Sequence, residues 1–86
     1  MALGGKVFYM NNERRKNLEK AKALLDDALD IVSDMAAEEQ DCLDNMPENL
    51  EGSERCSKME EAVDFLNDAI ENIESAVKNI DDATDL

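Results

Sequence analysis

The residues of this chain that could carry chemistry are two cysteines, Cys42 and Cys56, and a crowd of carboxylates. There is no histidine, so imidazole acid–base work and His-containing metal sites are absent from the start. Two thiols alone do not supply the four ligands of a usual structural zinc site. Pairs such as Asp26/Asp30 and Asp30/Asp34 stand at helical spacing. In a chain with 22 acids, however, such pairs arise without selection for them. A di-metal bundle site needs Glu-x-x-His on inward faces, which this sequence lacks. The acidic stretches also lack the alternation and central glycine of a calcium loop. The expectation is no enzyme, no cofactor and no metal.

Composition sets the class. The chain has 86 residues with three Gly, one Pro and three aromatic residues, Phe8, Tyr9 and Phe65. Ala, Leu, Ile, Glu, Asp and Lys dominate, which favours long helices. The formal charge of −13 argues against direct nucleic-acid binding and against binding an acidic membrane surface, since both are anions. It leaves room for a basic protein partner. No apolar run approaches the roughly 20 residues that cross a bilayer, and residues 1–10 lack the apolar length of a secretory signal. The expected setting is therefore the cytoplasm, where two cysteines read as thiols rather than as a disulfide scaffold.

Residues 1–10 differ in composition from the rest and read as a flexible N-terminal extension, either an addition or a native arm. From there the chain is expected to be all-α. Asn11 or Asn12 caps a helix over about 12–45. Pro47 disfavours helix at Met46, and residues 46–52 form the turn. A second helix runs over about 53–83, capped by Ser53 or by Ser57 with Glu60.

Heptads organise both helices. In the second, Cys56, Val63, Ile70 and Val77 alternate with Met59, Leu66, Ile73 and Ile80, flanked by Ala62, Ala69, Ala76 and Ala83. In the first, Leu18, Leu25, Val32 and Glu39 alternate with Ala21, Ala28, Met35 and Cys42. Folding the chain about Asn49 places each of these residues opposite a counterpart, an antiparallel two-helix coiled-coil hairpin. Cys42 then faces Cys56, as two small buried thiols or as a redox-sensitive pair, and Glu39 is the one polar layer.

A lone hairpin leaves apolar residues over. Leu24, Ile31, Ala62, Phe65, Ala69 and Ala76 line one side and form the candidate interface. Leu24, Ile31 and Phe65 alone are worth about 5–9 kcal/mol if buried. A second hairpin would cover them and give a homodimeric four-helix bundle; a helix or groove of another protein would also serve. The basic cluster Arg14, Arg15, Lys16, Lys20 and Lys22 is expected to pair with Asp81, Asp82 and Asp85, with phosphate binding as the other use. Rows of carboxylates on a rod could also imitate DNA and occupy the basic cleft of a nuclease.

The string Asn45-Met-Pro-Glu-Asn-Leu-Glu-Gly-Ser-Glu-Arg55, continuing into Lys58-Met-Glu-Glu-Ala62 and the later Ala-Ile-Glu-Asn-Ile-Glu run, resembles small acidic helical-hairpin proteins of Gram-positive bacteria, their phages and mobile elements. The resemblance covers about residues 10–83 and is best at 45–62. It implies a hairpin fold and a mobile-element setting, supplies no catalytic residues, and adds weight to inhibition of a host defence nuclease.

Overall fold

In the computed structural model, which describes residues 10–86, two long helices pack against each other across a tight turn. Helix α1 spans Asn12–Asp44 and α2 spans Glu54–Thr84. Asn11 is extended, and its side chain accepts the Arg14 amide at 2.8 Å, satisfying one of the unpaired first-turn donors. At the other end the Asn45 side chain donates to the Asp41 carbonyl at 2.8 Å. Pro47 then stops the helix, since it has no amide to donate and bars its predecessor from helical angles.

The turn is a single 3-10 turn, Glu48–Leu50, followed by Gly52 at φ +81. Space is not what selects glycine there, because a Cβ would meet nothing within 4 Å. The left-handed backbone itself favours it. Of the two expected caps for α2 the chain uses Ser53, whose hydroxyl accepts the Cys56 amide at 3.1 Å. Glu60 instead accepts the Cys56 thiol at 3.4 Å.

The seam of α2 follows the expected heptad. Cys56 and Val63 are buried, and Met59, Leu66, Ile70, Ile73, Val77 and Ile80 are half-buried. The seam of α1 departs from it. Leu18, Leu25, Val32 and Glu39 lie half-buried, but their alternating partners are shifted by one residue toward the turn. Ala36 is buried and Leu43 half-buried, whereas Met35 is 45% exposed and Cys42 is exposed.

The reason is helical pitch. Steps of about 3.6 residues from Leu18 reach Ala36 on the fifth step and fall next to Leu43 on the seventh. An alternation of three and four, which averages 3.5, lands on Met35 and Cys42 instead. Near the open end the two patterns have hardly diverged, so Ala21, Lys22, Ala28 and Leu29 are all half-buried. The layers pairing Met35 with Val63 and Cys42 with Cys56 are thereby corrected: Ala36 and Leu43 fill those places.

The open end is tied by long polar side chains. Arg15 donates to the carbonyl of Thr84, to that of Leu86 at 3.1 Å, and through Nε to the carbonyl of Met10 at 3.2 Å. One guanidinium thus joins the start of α1 to the last carbonyl of α2, which lacks a helical partner, and to Leu86 just beyond it. Lys22 donates to Asp81 beside it. No helix among the described residues is long and apolar enough to cross a membrane.

Candidate interaction surface

Three helical rows make up the surface around the seam. On α1, Leu24, Ala28, Ile31 and Met35 follow steps of four, three and four, so they form one stripe beside the seam. On α2, Ala62, Ala69 and Ala76 form the corresponding stripe, with Phe65 one step outward. In an antiparallel pair these two stripes fall on the same side of the hairpin. Leu24 is 70% exposed, Ile31 63% and Phe65 71%, while the three alanines are half-buried.

The side chains sort by size. Alanines sit where the helices approach each other, and the large apolar groups stand outside them, in water. Met35, which the heptad assigned to the seam, belongs to this exposed stripe; its signal was the same pitch arithmetic that places Ala36 inside. Exposed apolar groups gathered on one side mark an interaction surface more often than scattered ones do.

The opposite edge is polar. It carries Glu19 and Asp26 on α1 with Glu60, Asn67 and Glu74 on α2, all exposed. Lys22 reaches into this edge. Its pKa is raised above 10.5 chiefly by the hydrogen bond to Asp81; desolvation opposes this, and the charges of Asp81, Asp26 and Glu19 add to the rise. Lys78 is likewise raised, by a 2.8 Å bond to Asp82. The expected pairing of the basic cluster with the end of α2 is therefore realised by Lys22 and, through carbonyls, by Arg15. Arg14, Lys16 and Lys20 make no ion pair among the described residues.

Near the turn, Glu39, Glu54, Arg55, Lys58 and Met59 line an open hollow. Glu39 does share this hollow with Met59, as the folding about Asn49 requires, and it lies half-buried beside open space rather than in a dry layer. Cys42 lines a neighbouring hollow with Met46, Pro47, Leu50, Arg55 and Met59. It is exposed, Cys56 is buried, and neither thiol is in a disulfide. The expected thiol pair is thus two cysteines in different surroundings. Among the described residues no group of three or more thiols or carboxylates is placed to hold a metal ion.

Comparison with family models, curated proteins and solved structures finds no match to this chain.

Proposed function

We propose that this protein is a non-enzymatic interaction module that associates with a second copy of itself, giving a four-helix bundle. The observation that carries this is the exposed stripe of Leu24, Ile31, Met35 and Phe65 along alanine-lined helices. Among the described residues only Ala36, Cys56 and Val63 are buried hydrophobics in the hairpin alone, so one seam gives it a thin core. Covering Leu24, Ile31 and Phe65 on both copies supplies about 10–18 kcal/mol as an upper estimate. Association costs about 4–15 kcal/mol in lost freedom. The gain is of the size a stable dimer needs.

Sedimentation equilibrium tests it. The wild-type chain of 9.6 kDa should sediment at twice that mass, and the Leu24→Glu/Phe65→Glu variant at 9.6 kDa with its helical circular dichroism intact. A monomeric wild type, or a folded variant that stays dimeric, would overturn the proposal.

A second reading draws on the other surface. Asp64, Asp68 and Glu71 line an open groove with Asn67 on the outer side of α2, and the described carboxylates far outnumber the three ion pairs. Such a rod could occupy the basic cleft of a DNA-binding enzyme, and the resemblance to mobile-element proteins supports a defence nuclease as the target. Binding should then compete with duplex DNA and weaken steeply with salt. Salt-independent binding, or none, would remove this reading.

A further inference from the structure

Charge is distributed very unevenly along the rod. The half nearest the termini, residues 10–28 and 70–86, holds nine acids against six bases, a net −3. The half nearest the turn, residues 29–69, holds thirteen acids against two bases, a net −11. At the open end, moreover, Arg14, Lys16 and Lys20 are without ion-pair partners among the described residues.

The apolar stripe sits differently. On α1 it runs from Leu24 to Met35, and the midpoint of that run, at Leu29–Asp30, lies close to Ala28, the midpoint of the helix. Folding about Asn49 puts Phe65 level with Ser33, Ala69 level with Leu29 and Ala76 level with Lys22, so the α2 stripe is centred on the same stretch. The greasy patch is central, and the charge is lopsided.

A central patch can be covered by a second copy in either direction without loss of overlap. The charges cannot. With the two turn ends side by side, two net charges of −11 face each other at helix-packing distance, about 10 Å, close to one Debye length at physiological salt. Reversing one copy sets −11 beside −3 at both ends and roughly halves the sum of the neighbouring charge products. It also brings Arg14, Lys16 and Lys20 of each copy beside the acidic turn half of the other.

Resting on the self-association proposed above, we infer that the two copies pack antiparallel, with the two-fold axis crossing the rods at the level of Leu29–Asp30. The interface is then isologous. Ile31 lies against its own counterpart near the axis, Leu24 meets Met35 of the second copy, and Phe65 comes level with Asn72 of the second α2, between Ala69 and Ala76. The large Phe65 ring thus falls beside small alanines, the large-against-small alternation by which facing layers interdigitate.

Cys42 is the built-in reporter, because it is exposed on the continuation of the stripe while Cys56 is buried. A nitroxide on Cys42 of each copy gives one inter-label distance by pulsed electron spin resonance. The antiparallel dimer should show roughly 38 Å, from 25 residues of helical rise. A parallel dimer would show less than about 20 Å, from the width of a four-helix bundle alone.

The Asn17→Cys variant adds a chemical readout. Asn17 is exposed on the same side and comes opposite Cys42 of the second copy only in the antiparallel arrangement. Mild oxidation should then yield a covalent dimer through unlike cysteines, mapped as a 17–42 linked peptide. A short label distance with 42–42 linkage in a verified dimer overturns the orientation and leaves the dimer standing. Absence of any inter-label coupling at concentrations well above micromolar overturns the dimer itself.

Discussion

The two edges of the hairpin are built from the same helices and face opposite requirements. One edge sets small residues where α1 and α2 approach each other and leaves Leu24, Ile31, Met35 and Phe65 outside. The other sets carboxylates and amides outside, with Lys22 and Asp81 as its one cross-helix ion pair among the described residues. Apolar burial is non-directional and scales with area, so the first edge can hold a partner. Exposed ion pairs contribute little and are screened by salt, so the second offers a partner far less. An amphipathic helix usually has one apolar face; here each helix has a seam and a second, weaker stripe beside it.

The contrast can be broken most sharply by charge. Leu24→Glu with Phe65→Glu should weaken dimerisation at least ~100-fold, the equivalent of about 2.7 kcal/mol, as read by sedimentation. The matching pair on the other edge, Glu60→Gln with Glu74→Gln, should leave the association constant within a few-fold. Equal effects from the two pairs would dissolve the distinction between the edges.

Volume is the next lever. Ala36→Leu crowds the seam and should cost about 1–3 kcal/mol, lowering the melting temperature by about 4–8 °C for each kcal/mol. Met35→Leu, one residue away on the exposed stripe, conserves volume and should stay within ~1.5 kcal/mol. The reverse order would restore Met35 to the seam.

Thiol reactivity sharpens the same boundary at smaller cost. Cys42 should react with a thiol reagent at the rate of an exposed cysteine, and Cys56 only as the helices part. Two equally fast thiols would contradict the placement of Cys56.

The smallest effect is electrostatic. Because the folded-state pKa of Lys22 is raised above 10.5, its contribution is complete below the ordinary lysine value. It is lost only as pH climbs past 10.5 and through the folded-state value. The melting-temperature gap between wild type and Lys22→Met should therefore be flat from neutral pH to about 10 and close above that. A gap that closes between pH 5 and 8 would point to another group.

Much of this was legible beforehand. The two helices, the Pro47 turn, the Asn11 and Ser53 caps and the α2 seam follow from residue type and spacing. So does the exposed apolar edge, because Leu24, Ile31 and Phe65 fit no seam position. The register of α1 was not legible, since Leu18, Leu25, Val32 and Glu39 satisfy both the 3–4 and the 4–3 reading. Only the pitch of the folded helix decides between Met35 and Ala36. The threefold grip of Arg15 was also hidden, as backbone carbonyls leave no trace in a sequence.

The drift that moves Ala36 into the seam has a further meaning. Two rulers ruled at slightly different intervals agree only over a limited stretch, as on a vernier. A straight helix slips about 20° against a seven-residue repeat for every heptad. Over the 33 residues of α1 that slip approaches a right angle. Two more heptads would carry the apolar row of α1 off its partner altogether unless the pair wound into a supercoil. The length of this hairpin is therefore close to the longest over which an unwound helix and a heptad-true one can keep their stripes in coincidence. Lengthened versions should gain helix without gaining stability in proportion.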